Sequence, residues 1–247
     1  DKFESHPPLT DEIVKYYNAN STRKITAEEL ALIKIGSQKE DNSPRWINHF
    51  YDAIHNNGLT TKYLRGAFLG MSWEKALGLS MPKDPLKSID WVKNENYQLI
   101  YGENMTWQKA IRLYFDKKDD GFVALGAILH LLEDLGVPEH SRADGHVDIF
   151  SGTFLNNEIP SYYENYAKSL DISSLNTADN LIKNKEQPYN NGSIENILSN
   201  LSSYTANNWF SEDTIEAPEF QNPKITHQIK QGQFTFYYDS NNVFVAL

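Results

Sequence analysis

The sequence predicts a mostly α fold that ends in a short β-hairpin. Three observations carry that expectation. Apolar residues recur at helical spacing through 119–135, where Phe122, Leu125, Ile128, Leu129, Leu132 and Leu135 share one side. Helix-start residues stand ahead of other periodic stretches, at Thr10, at Thr26 with Glu29, and at Thr106. The end of the chain then changes character: 233–238 and 243–247 are β-prone and are separated by Asp-Ser-Asn-Asn.

In chain order, Thr10 is expected to cap a helix over 11–18, with two acids in its first turn. Thr26 and Glu29 have capping-box spacing, Leu30 and Ile33 can face a core, and Gly36 reads as the stop of that helix. Residues 37–60, rich in Asn, Ser and Asp around Pro44, read as a loop long enough to suggest function. A short helix is expected over 61–79, after which Pro82 and Pro85 break the chain. Thr106 opens a helix to Asp116 with Ala110, Leu113 and Tyr114 on one side. The helix at 119–135 cannot simply continue through Pro138, and 139–160 reads as a polar loop. Residues 161–170 and 193–209 read as helices, the second with Ile194, Ile197, Leu198, Leu201 and Tyr204 on its apolar side. The last strand is expected to run on past Leu247.

Composition narrows the function. A chain of 247 residues can bury a sizeable core unaided, and 40% apolar with 13% aromatic residues excludes a disordered chain. No apolar run approaches the ~20 residues of a membrane span. The 33 acidic against 23 basic residues give −10, which argues against duplex DNA as a partner. Cysteine is absent, so disulfides, thiolate nucleophiles and iron–sulfur clusters fall away together. Any metal must be held by His, Asp, Glu or backbone groups.

The chemistry-bearing residues cluster. His130 and Asp134 are four apart on an otherwise apolar helix and so point the same way. Burying them is costly without partners; a metal ion satisfies both, and so does a plain His–Asp hydrogen bond. His140 follows Pro138 by two residues, and His146 lies in Arg142-Ala-Asp144-Gly-His146. Three His together with Asp134, all within 17 positions, suit a borderline divalent cation, of which zinc is the commonest. A second group, Glu40-Asp41 to Asp52, offers Asp41 and His49, or else an Asx turn and a packed histidine. His6 precedes the first helix, and its alternative is a frayed terminus. Glu164 sits in Tyr162-Tyr-Glu-Asn-Tyr166 as a ligand or as part of a solvated face. Arg45 and Arg142 lie beside these groups, to contact an anionic substrate or to form salt bridges. There is no glycine-rich phosphate loop, no nucleophile elbow and no His-Glu-x-x-His helix.

In this order the residues resemble a family. His130-x3-Asp134-x3-Pro138-x-His140 is similar to the signature of bacterial zinc-dependent phospholipases C, whose trinuclear-zinc, mostly helical fold is shared by fungal single-strand-specific nucleases. Asp41 with Asn48-His49-Phe50-Tyr51-Asp52 resembles the earlier ligand segment, His6-x-x-Leu9 the N-terminal ligand histidine, and Glu164 the final carboxylate. The match runs from His6 to Glu164.

The resemblance implies a helical metal-binding catalytic domain over 1–220 with a C-terminal extension over 221–247. It implies two or three Zn²⁺: one on Asp41, His49, His130 and Asp134, a second shared by Asp134 and His6, and a third on His140, Glu164 and another histidine. The family's last histidine falls four before the carboxylate, where this chain has Pro160, so His146 is expected in its place. No counterpart of the family's N-terminal ligand is assigned. The implied activity is phosphodiester hydrolysis of phospholipid head groups by an activated water, with Asp41 also catalytic and Arg142, Tyr51 and Phe50 at the substrate. The alternatives are a single-strand nuclease of the same fold and a metal-stabilised binding module without turnover. A secreted or periplasmic location is implied by the resemblance, the chain as given carrying no signal peptide.

Overall fold

The computed structural model describes residues 6–42, 44–59, 85–145, 161–169, 192–215, 217–232 and 234–246. Within them the chain is mostly helical and closes with a small antiparallel sheet. Helix α1 (His6–Asn20) starts earlier than expected. Pro7 and Pro8 occupy its first turn, where a missing N–H leaves nothing unsatisfied. Thr10 is therefore not the cap but part of a buried stripe, His6, Thr10 and Val14, facing the interior. Helix α2 (Ala27–Glu40) has the expected capping box: the Glu29 N–H donates to Thr26 Oγ1 at 3.2 Å and the Thr26 N–H to Glu29 Oε2 at 3.0 Å.

The segment expected as a loop from Ser37 is largely buried chain. Residues 37–40 remain in α2, a 3-10 turn at Arg45–Asn48 is buried throughout, and Asp52 pairs with Asn57 across a turn. Two short helices follow, α3 (Ser88–Trp91) and α4 (Glu95–Ile100), too short to give a periodic signal. Helix α5 (Trp107–Phe115) begins after Thr106, whose hydroxyl accepts the Lys109 N–H at 3.4 Å.

Helix α6 (Asp119–Leu135) has the bounds its periodicity predicted. It packs most extensively against α2, and two glycines explain how closely. A Cβ built on Gly36 would lie 1.8 Å from the Val123 carbonyl oxygen, and one on Gly126 would lie 1.8 Å from that of Ile33. Gly36 is thus a point of backbone approach in mid-helix rather than a stop. The two helices meet backbone to backbone, which brings the far end of α2 against the inner face of α6.

Helix α7 (Pro138–Ser141) is a single turn with Pro138 in its first positions. Residues 138–145 are polar yet buried, so the described start of the expected polar loop at 139–160 lies inside the protein. Helices α8 (Tyr162–Ser169) and α9 (Ile194–Asn208) follow the sequence reading, with Ser193 Oγ accepting the Asn196 N–H at 3.2 Å. The helix expected over 61–79 and the loop at 146–160 lie outside the described residues.

The sheet runs β1 (His227–Gln231), β2 (Phe234–Tyr238), β3 (Phe244–Ala246), each antiparallel to its neighbour. The expected hairpin is β2–β3. β1 adds a strand that the sequence did not suggest, because its five residues are all exposed and show no apolar alternation. The Phe210 N–H donates to the Val245 carbonyl at 2.8 Å, and Phe210, Phe220 and Ala246 share a small apolar cluster. Tyr166 of α8 rests edge-on against Phe234 and Phe236.

Candidate metal centre

Helix α6 supplies the first donors. His130 and Asp134 lie one turn apart on its buried face, as their spacing predicted. The close approach of α2 sets Ser37, Glu40 and Asp41 beside them. The 3-10 turn delivers His49, the first residue of α1 is His6, α7 folds His140 back toward α6, and α8 contributes Glu164. All except Asp41 are buried.

Asp134 is the shared group. Its Oδ2 lies 2.7 Å from His49 Nδ1 and 3.1 Å from His130 Nε2. Its Oδ1 lies 3.4 Å from His6 Nε2 and 3.9 Å from His140 Nε2. His130 Nε2 is also 3.2 Å from Asp41 Oδ1 and 3.3 Å from His49 Nδ1. His140 Nε2 is 3.7 Å from Glu164 Oε1, and the other oxygen of Glu164 accepts the Ser161 N–H at 2.6 Å, closing a capping turn at the start of α8. Three groups result, each with its donor atoms within 4.8 Å of one another: His6, His130, Asp134; Asp41, His49, His130; and Asp134, His140, Glu164. These buried groups can hold a metal ion.

The donor chemistry fits a cation. Asp134 Oδ2 is buried and within 3.1 Å of two imidazole nitrogens, yet makes no aligned hydrogen bond among the described residues. Short contacts without alignment are what ligand atoms around one centre produce. Imidazole and carboxylate in mixed sets suit zinc and its first-row neighbours.

Without a cation the cluster holds protons instead. Burial lowers the pKa of His49, but Asp134 beside it, with Glu40 behind, raises it to about 9. Burial likewise opposes the charged form of His130, and Asp134 and Asp41 overcome that to lift it well above the ordinary value. His6 is raised more modestly, burial and His130 opposing Glu133 and Asp134. Asp134 is driven well below the usual carboxylate range, the imidazoles of His130, His140 and His49 outweighing its burial. A metal ion and these protons compete for the same lone pairs.

The structure brings together His6, Asp41, His49, His130, Asp134, His140 and Glu164, seven of the eight expected ligands. His146, the eighth, lies outside the described residues. Phe50 and Tyr51 are buried beside His140: the Phe50 ring stacks on its imidazole at 4.5 Å, and the Tyr51 N–H donates to its carbonyl at 2.9 Å. Both pack on His140 rather than line an open surface.

Arg142, expected at the substrate, is fully buried. It donates to the carbonyls of Trp209 (2.7 Å), Asn222 (2.8 Å) and Ala206, and lies between the rings of Phe210 and Phe220. That placement anchors the C-terminal segment. Arg45 is likewise committed, to Glu40 at 2.8 Å and to the Glu103 carbonyl at 2.8 Å.

Two carboxylates were not singled out from sequence. Glu40 is fully buried between Arg45, the Trp91 indole and His49, and Glu133 bonds His6 Nδ1 at 2.7 Å. Each is the neighbour in sequence of an expected ligand, Asp41 or Asp134, and that adjacency was the only available signal.

The fold and the site together define a mostly helical protein with a buried His/carboxylate cluster able to bind metal. Comparison of the chain with family models, curated proteins and solved structures gives no match.

Proposed function

We propose that this chain is a zinc-dependent phosphodiesterase of the phospholipase C and single-strand nuclease type, acting on phospholipid head groups. The observation that carries the reading is the position of Asp134: its two carboxylate oxygens face different histidines, Oδ2 toward His49 and His130, Oδ1 toward His6 and His140. A carboxylate so placed can serve adjacent cations, as phosphodiester hydrolysis by clustered metals requires. The order of the ligand segments along the chain supports the same reading.

Asp41, His49, His130 and Asp134 would hold one ion, His6 with the shared Asp134 a second, and His140 with Glu164 a third. Zinc bound there supplies Lewis-acid polarisation of the phosphoryl oxygens and acidifies a water for attack on phosphorus. The protein supplies the rest. Asp41 is the most exposed carboxylate of the cluster, its side chain 13% accessible against 2% for Asp134. In the proposed reaction it would orient the attacking water, accept its proton as the new P–O bond forms, and return that proton to the departing alkoxide oxygen as the ester P–O bond breaks. Arg45 and Arg142 are committed elsewhere and are not the groups that would meet the substrate's negative charge.

The test pairs elemental analysis with hydrolysis assays on phosphatidylcholine vesicles and on single-stranded DNA, each with and without chelator. Two or three zinc ions per chain and chelator-sensitive release of phosphocholine are expected. Cleavage of DNA alone would move the reading to the nuclease. The depth of the donors, with His49 and His130 fully buried, favours a second reading, a metal-stabilised module without turnover. Stoichiometric zinc with neither activity would establish that one.

A further inference from the structure

The three histidines nearest Asp134 each turn one ring nitrogen toward the cluster and the other toward a group behind it. His49 faces inward with Nδ1, and its Nε2 lies 3.6 Å from Glu40 Oε1. His6 faces inward with Nε2, and its Nδ1 lies 2.7 Å from Glu133 Oε2. His130 faces inward with Nε2, and its Nδ1 lies 3.5 Å from the Ser37 hydroxyl. The outer carboxylates are themselves held. Glu40 accepts Nε and Nη2 of Arg45 at 3.1 and 2.8 Å and the Trp91 indole N–H at 2.5 Å. Glu133 accepts the Thr10 hydroxyl at 3.0 Å.

A neutral imidazole carries one N–H and one lone pair, and an ionised carboxylate only accepts. At His6 the nitrogen 2.7 Å from the held Glu133 carboxylate therefore carries the hydrogen, which leaves the lone pair on Nε2. From this geometry we infer that Glu133 is a positioning residue that sets the tautomer of His6: it keeps His6 protonated on Nδ1, so that Nε2 binds metal. His49, whose Nε2 stands 3.6 Å from Glu40 without a hydrogen bond among the described residues, and His130, with only a hydroxyl behind it, are held less firmly. The inference rests on the metal-binding reading above. It adds that Glu133 acts through His6, by orientation and by raising ligand basicity, an effect that typically changes metal affinity 10–100-fold.

The test uses the full chain loaded with zinc, with histidines ¹⁵N-labelled. Long-range ¹H–¹⁵N correlation reports which ring nitrogen carries hydrogen. His6 is expected as the Nδ1–H form. Glu133→Gln keeps an acceptor oxygen and loses the charge, so it should retain the His6 tautomer and bind zinc roughly tenfold more weakly. Glu133→Ala should lose the fixed tautomer and fall nearer a hundredfold. Uptake of two or more zinc ions with the His6 tautomer reversed, or unchanged affinity in Glu133→Ala, overturns the inference alone. Failure to take up zinc overturns both the inference and the metal reading beneath it.

Discussion

Replacing Gly36 by alanine sets two effects of opposite sign against each other. Gly36 lies inside α2, where alanine is favoured over glycine by about 0.8–1.0 kcal/mol on helix propensity alone. The new Cβ would, however, sit 1.8 Å from the Val123 carbonyl oxygen and 2.7 Å from the carbonyl carbon. Ordinary contact begins near 3.4 Å, so α2 and α6 must part by about 1.6 Å at that point. The obstructing atoms are backbone, so no rotamer change relieves them. Overpacking of a core costs typically 1–3 kcal/mol, and a backbone clash belongs at the upper end or beyond. The net expectation is a loss of at least about 2 kcal/mol, or roughly 4–8 °C in Tm for a chain of this size. The same separation would carry Asp41 away from His130, now 3.2 Å apart, so zinc affinity should fall as well. Thermal unfolding of the zinc-free and zinc-loaded forms, with a competitive zinc titration, reads both. A Tm equal to or above that of the unmutated protein would refute the packing argument and leave propensity the winner.

Other outcomes follow from the same geometry. The zinc-free protein should lose stability with rising pH: the His49 pKa is raised from 6.5 to about 9, so its stabilisation of about 3 kcal/mol is complete below 6.5 and gone above 9. Denaturant midpoints that are flat from pH 6 to 9.5 in chelator would contradict this. Arg142→Met should cost about 3 kcal/mol by stranding buried carbonyls of the C-terminal segment; unchanged stability with a raised KM would instead return this arginine to the substrate. Glu164→Gln should lower bound zinc by one ion per chain, because the His140 site loses its outer carboxylate; an unchanged zinc count would remove Glu164 from the ligands.

Much of this was legible in the sequence where local chemistry dominates. The α6 periodicity, the Thr26–Glu29 capping box and the i, i+4 pair His130–Asp134 are short-range signals, and each appears as expected. The misreadings share one cause, tertiary context overriding local propensity. Gly36 looked like a stop because glycine ends helices, whereas here it answers a neighbouring backbone. Thr10 looked like a cap because its role as a donor to Glu133, 123 residues away, leaves no local trace. The stretches at 37–60 and 139–160 read as loops because they are polar, but Arg45, Asn48, His49 and Asp52 of the first and Glu139, His140, Arg142 and Asp144 of the second are buried. Arg142 shows the same limit: a cation beside ligand residues looks substrate-directed until the C-terminal carbonyls that occupy it are seen.

In the proposed centre Asp134 joins cations held by His6, His49, His130 and His140. Elemental analysis of the purified chain beside Asp134→Asn tests it most directly. Two or three zinc ions per chain are predicted in the unmutated protein, with loss of at least one in the variant. Less than one ion per chain, or a variant that keeps the full complement, would contradict it.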